Sequence, residues 1–312
     1  MDSALETVLI GTSLDAPSDA VVVTGLEIAR AAGARVFLVH AHSTGAADLT
    51  EDRLEGMLEM EETLTGRMRE QILRLGIRGE ELAGTVIEEG PAHWVLIDLA
   101  EQCDAGLIVV GATGSPEVSR LFGSTADRVI RHSAVPVLMV RESLRSPLQR
   151  VLMPVDLTPL SAAAFREGLT LLRRIVPDDA LLEAVMVLDG PGRDLSLEAE
   201  ATALADLERL VARNAVWRKD RIATWLLYHG VEEETWRQAE DWRADLVVLG
   251  ADAREGFERL LLGQMAADVV RQGPASVLVV PPAPERVRPG LPVEIRAGAA
   301  DRAYSGAVST MR

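Results

Sequence analysis

Leu107-Ile108-Val109-Val110-Gly111-Ala112-Thr113-Gly114 is the stretch that decides the fold, because Leu246-Val247-Val248-Leu249-Gly250 returns to it 139 residues later. Four consecutive apolar residues ahead of a glycine leave no polar face, as a strand buried between two helical layers of a parallel sheet must. Other landmarks return as well. Val8-Leu9-Ile10 comes back as Val151-Leu152-Met153, Gly123 as Gly263, and Val137-Leu138-Met139-Val140 as Val277-Leu278-Val279-Val280, at offsets of 143, 140 and 140 residues. A near-constant spacing over separate landmarks means two copies of one unit. What both copies keep, folding could explain; what only one keeps makes a function of that copy arguable.

Outward from that strand, the pattern alternates between strand and helix. In the first copy, strands are predicted at 7–12, 35–41, 84–88, 106–110 and 135–140, with helices from Asp15 to Ala32, Asp48 to Leu75, Gly90 to Gln102 and Ser124 to His132. Gly33 and Gly76 stop two of the helices. The second copy gives the same order, with strands at 151–155, 180–188, 222–228, 246–249 and 276–280 and helices at 159–175, 195–217, 231–242 and 265–271. Alternation with right-handed crossovers predicts an α/β protein of two doubly wound domains, each an open five-stranded parallel sheet of order 3-2-1-4-5 covered by helices on both faces. The boundaries are 1–141 and 150–281, with a short polar linker between them and a mobile tail at 282–312, where prolines are scattered among Arg, Gly and Ala.

A chain of 312 residues supports two such cores, and 48% apolar residues with only 4% aromatics fit an aliphatic interior. The net charge of −16 excludes nucleic acids and anionic membranes as main partners, since both would repel it. No basic segment leads into an apolar run near Met1, and no run reaches the ~20 residues of a membrane span. A cytoplasmic location is expected. Cys103 is the only cysteine and Lys219 the only lysine, which removes disulfides, thiolate clusters and most lysine chemistry.

Ligands of open α/β sheets bind at the carboxyl ends of strands where strand order reverses. In the first copy that places Gly111-Ala112-Thr113-Gly114, eight further residues, then Gly123-Ser124-Thr125 and a helix at the expected crevice. Glycines let backbone approach an anion, and the hydroxyls and free N–H groups at a helix start donate to phosphate. This arrangement resembles the universal stress protein family, whose nucleotide-binding members carry Gly-x-x-Gly, nine residues, then Gly-Ser or Gly-Thr after the fourth strand. Gly90-Pro91, His40 and Ser133-Ala134-Val135-Pro136-Val137 add to the resemblance, which covers residues 5 to 141 and 149 to 281.

The resemblance implies ATP, with Mg, as the candidate cofactor. It places Gly11, Ser13 and Ala41 around base and ribose, and Val110, Gly111, Gly114, Gly123, Ser124 and Thr125 around the phosphates. Similar proteins that hold ATP carry an aspartate after the first strand, and here that position is Ser13, while the glycine loop is one residue short. The second copy has the aspartate, Asp156, but Ala253 and Gln264 replace the second glycine and the serine. An alanine forced into a glycine-only conformation costs about 1 kcal/mol, and a lost charge-assisted hydrogen bond roughly 1.5 to 3 more. Together these are worth about two to three orders of magnitude in affinity, so the first copy is the expected binder. The alternative for both loops is a turn that only fixes strand-to-helix geometry.

Other residues attract attention for their chemistry. His40 and His42 share a strand face and could ligate a metal, but nothing in the sequence accompanies them. Glu88 and Glu89 are adjacent in a strand and point to opposite faces. Trp217, Trp225, Trp236 and Trp242 crowd the second copy, with Trp94 alone in the first; core or interdomain packing is their expected use. Arg120 and Arg259 are the cations that could stand in for a loop lysine. The reading that results is a tandem stress-response regulator, nucleotide-responsive or purely protein-binding, with an unidentified protein partner. Its alternatives are a slow ATPase or phosphate-transfer enzyme and a ligand-free scaffold. Family members often pair through the last strand, so segments 135–140 and 275–280 are expected to meet antiparallel within the chain as a pseudo-dimer, with a homodimer of chains as a further option.

Overall fold

The computed structural model describes residues 5–43, 51–112, 124–144, 146–188, 196–214, 219–251, 270, 273 and 275–281. The first half runs β1 (Thr7–Gly11), α1 (Asp19–Ala32), β2 (Arg35–His42), α2 (Glu51–Arg74), β3 (Gly84–Glu89), α3 (Ala92–Gln102), β4 (Leu107–Gly111), α4 (Ser124–His132) and β5 (Val137–Val140). The second runs β6 (Arg150–Pro154), α5 (Pro159–Ile175), β7 (Leu181–Leu188), α6 (Leu197–Asn214), β8 (Ile222–Tyr228), α7 (Val231–Trp242), β9 (Leu246–Gly250) and β10 (Val277–Val280). Of the helix expected at 265–271, only Val270 lies within the described residues, and it is helical. The expected tail at 282–312 lies outside them.

The strands form one sheet in the order β3-β2-β1-β4-β5-β10-β9-β6-β7-β8. Each half is parallel and keeps the order 3-2-1-4-5. The halves join where β5 and β10 pair antiparallel, Val137 with Val279, Leu138 with Leu278 and Met139 with Val277. Leu138 thus faces its own repeat-mate, and a local twofold axis passes between the two. The expected pairing of the last strands is present, and it turns the expected twin sheets into one continuous sheet. All four residues of each strand are buried apolar side chains. Left as free edges, such strands would expose unpaired backbone N–H and C=O groups beside apolar side chains; facing each other, they pair the one and cover the other.

Alternate residues feed two cores, one on each face of the sheet. Val8, Ile10, Leu107, Val109, Leu138, Val151, Met153 and Leu278 point to the layer of α1, α2, α5 and α6. Leu9, Ile108, Met139, Leu152, Val247 and Val277 point to the layer of α3, α4 and α7. Both cores run through both halves, and α1 packs on α5 across the junction. Gly25 in α1 and its repeat-mate Gly168 in α5 sit over the sheet, where an added Cβ would lie 2.5 Å from Ile10 Cδ1 and 3.1 Å from Met153 Cε. These glycines let the paired helices lie close to the strands.

Several boundaries shift from expectation. Residues Ala16–Ser18 form a separate 3-10 turn ahead of α1, because Asp15 and Ser18 cap each other there. The linker is more than polar: Leu148 is buried and Leu144 packs against the same core. Leu144 N–H donates to Thr24 of α1 at 3.3 Å, and Arg141 N–H donates to Ser276 ahead of β10 at 3.1 Å. Among the described residues, no helix is long and apolar enough to cross a membrane.

Candidate functional site

The connections after β1 and β2 pass over one face of the sheet, and those around β4 over the other. Strand order therefore reverses between β1 and β4, which pair directly from Val8–Leu107 to Ile10–Val109. In open sheets of this kind the ligand crevice lies past the carboxyl ends of the two strands at the reversal, which here are Gly11 and Gly111. The same reversal lies between β6 and β9 in the second half.

The corner leaving β1 is held by a buried polar network. Thr12 N–H extends the ladder to Val39 O at 2.8 Å. Its hydroxyl donates to Gln71 Oε1 at 2.8 Å, lies 2.9 Å from Ser18 Oγ and accepts from Leu14 N–H at 3.0 Å. Gln71, fully buried on α2, gives its amide N–H groups to Ser18 at 3.0 Å and Asp19 at 2.8 Å. Arg74 then grips Asp19 with two bonds of 2.9 and 2.8 Å. These Arg74 bonds hold the Asp19 carboxyl below its ordinary range, against burial and with help from Gln71. Leu14 takes the left-handed conformation at φ 59°, and Arg67 donates to its carbonyl at 3.3 Å.

The predicted nucleoside residues fall around this corner. Ser13 is exposed, and its hydroxyl donates to Asp15 Oδ1 at 2.6 Å. The carboxylate at this corner is that of Asp15, two residues beyond Ser13. Burial tends to raise the Asp15 carboxyl, but bonds from Ser13 and Ser18 outweigh it and hold it low. Ala41 is partly buried and pairs with Glu88. His40 presents Nδ1 to Thr12 O at 2.9 Å, which makes Nδ1–H the donor. Burial pushes its pKa down, as do His42 and Arg67, so the ring is held neutral. Gly11 has a packing reason to be glycine, since a Cβ would come 3.2 Å from Leu96 of α3.

Of the predicted phosphate residues, Val110 is buried in the core and Gly111 ends β4 opposite Val140. Thr125 is partly buried in the first turn of α4, and Ser124 opens that helix. Gly114, Gly123 and Arg120 lie outside the described residues.

In the second half, Asp156 spends a carboxylate oxygen on its own turn. Oδ1 accepts from Thr158 N–H at 3.0 Å and from Thr158 Oγ1 at 2.8 Å, and Thr158 caps α5. Gly250 is packed rather than open, because a Cβ there would meet Ala164 Cβ at 2.7 Å. Ala253, Arg259, Gly263 and Gln264 lie outside the described residues.

Among the described residues, no group of three or more His, Cys, Asp or Glu could hold a metal. Glu88 and Glu89 are exposed at the end of β3. The tryptophans divide: Trp236 is buried, its indole against Gly273, and Trp242 packs at the core edge. Trp94 and Trp225 are corrections to the packing expectation, 46% and 50% exposed. Trp94 lies between His93 and His132, ring centroids 5.2 and 5.4 Å away. Trp217 lies outside the described residues. Cys103 is structural, its thiol donating to Leu99 O at 2.9 Å and pushed up in pKa by burial.

Sequence reading passed over Thr12, Asp15, Ser18 and Gln71. Gln71 carried a signal, since it follows Leu64 and Met68 on one face of α2 and precedes Leu75 just past its end, interrupting an apolar series. A polar residue on a core stripe needs a buried partner.

The model of the universal stress protein family matches residues 5–141 and 147–281. A universal stress protein of Mycobacterium tuberculosis is 29% identical over 202 residues, covering 60% of this chain and 68% of its own. One from Mycolicibacterium smegmatis is 25% identical over 299 residues, covering 88% and 97%. The crystal structure of a universal stress protein from Archaeoglobus fulgidus is similar with a TM-score of 0.65 at 17% identity, over 88% of this chain and 98% of that one. That last likeness concerns the fold alone.

Proposed function

We propose, from the premise that the chain belongs to the universal stress protein family with one family unit in each half, that it is a cytoplasmic, nucleotide-responsive regulator of a stress response. It takes ATP, with Mg, in its first half and acts through a protein partner. The observation that carries this reading is the reversal of strand order between β1 and β4, where the corner leaving β1 is fixed by the buried Thr12–Ser18–Gln71 network. A corner already held in place loses little freedom when a ligand arrives. Gly111 leads from the neighbouring strand into the glycine loop, and α4 begins at Ser124, where free N–H groups suit phosphate.

The second half supports binding less well. Its Asp156 is occupied by Thr158, and the sequence replaces a loop glycine and the loop serine. The β5–β10 junction makes the chain its own pseudo-dimer, and exposed helices leave room for a homodimer of chains.

Calorimetric titration of Mg-ATP into the full chain tests the proposal. The expected result is saturable binding in wild type, lost on Gly123→Val and kept in Asp156→Ala. Absence of heat and of thermal stabilisation at millimolar Mg-ATP would favour the ligand-free scaffold instead.

A further inference from the structure

The two halves diverge in chemistry beside the corner between β6 and α5. A wide, open hollow of about 540 Å³ lies there at the carboxyl edge of the sheet. Leu157 and Met186 give it apolar surface, and α6 adds Ala203, Thr202, Glu198 and Asp206; among the described residues, none of the side chains lining it is basic. Its size falls within the ~300–1,000 Å³ usual for small-molecule sites.

The first half carries different side chains at the corresponding place. Strand registers put Ala223 at the place of Gly84 and Met186 at the place of His40. The Gly84 offset, carried back along the helices, matches Met68 with Leu207 and Gln71 with Leu210, all four buried. Leu64 then corresponds to Ala203 and Arg67 to Asp206. In the first half Leu64 is buried, the Arg67 guanidinium bonds the Leu14 carbonyl and His40 bonds Thr12. In the second half the leucine has become alanine, which removes volume, and the arginine has become aspartate, which reverses the charge.

We propose that this hollow is a ligand site separate from the nucleotide crevice, taking a small organic cation with an ammonium group on a short hydrocarbon body. The ammonium meets the carboxylates of Asp206 and Glu198 and the Thr202 hydroxyl, and the hydrocarbon covers Leu157, Met186 and Ala203. Arg209 pairs with Asp206 at an exposed position, the weak kind of contact that a bound ammonium can replace. The Glu198 and Asp206 carboxylates oppose an anion in the same place. None of this rests on nucleotide binding in the first half.

The test follows n-butylammonium, butyrate and 1-butanol on the full chain by saturation-transfer NMR and thermal unfolding. The site predicts saturable binding and a raised Tm with n-butylammonium alone. Asp206→Asn, a surface change, should weaken binding about tenfold or more. Ala203→Leu, which restores the first half's side chain, should abolish it while a normal unfolding transition remains. The proposal is overturned if n-butylammonium does not saturate, if butyrate or butanol binds as well, or if Ala203→Leu binds like wild type.

Discussion

Gln71 shows how one side chain can set the corner that leaves β1. Its amide reaches Thr12, Ser18 and Asp19 at once, and the residue matching it in the second half is Leu210. Gln71→Leu should therefore cost about 1–3 kcal/mol, because buried hydroxyls lose a partner while the apolar stripe gains little. Urea unfolding measures this, and an unchanged midpoint would show that Thr12 and Ser18 satisfy each other. His40 gives a pH dependence of definite sign. Its folded pKa lies below the ordinary 6.5, so its stabilising contribution is complete above that value and is lost as pH falls through the folded pKa. Between about pH 7 and pH 5 wild type should lose more stability than His40→Gln, with His93, shifted down mainly by burial, leaving a residual slope in both. Equal slopes would mean that His40 stays solvated. At this scale the sequence was half legible: pattern pointed to the corner positions Ser13 and Asp156, but their bonds to Asp15 and Thr158 depend on turn geometry that spacing does not encode.

Strands and helices were the most legible level, for identifiable reasons. Runs such as Leu107–Val110 have no polar face, and Gly33 takes φ 67° at the end of α1, as its place after the last helical residue implied. The element that escaped was the turn at Ala16–Ser18, where reciprocal capping by Asp15 and Ser18 splits one expected helix start in two. Glycine loops were the ambiguous elements, since the residues that admit a phosphate also admit close packing. Gly250 resolves toward packing, with Ala164 Cβ fixed to the α5 backbone in the path of any side chain. Gly250→Ala should destabilise the protein by about 1–3 kcal/mol through overpacking. Thermal unfolding checks it, and a neutral result would mean that α5 can lift from β9 without cost.

Duplication governs the whole molecule. The repeat spacing revealed two like units, and the last-strand pairing was expected from resemblance, but the fusion into one sheet becomes visible only when Leu138 meets Leu278. Both cores then extend across the junction, so the halves form a single hydrophobic body, and the two proposed crevices differ in the residues at their corners. The asymmetry of those crevices is the central claim, and hydrogen exchange of the full chain with and without saturating Mg-ATP tests it most directly. The account predicts slowed exchange in peptides covering residues 11–18 and 110–125, and none in those covering 154–161 and 249–253. Protection confined to the second half, or equal in both, would contradict it.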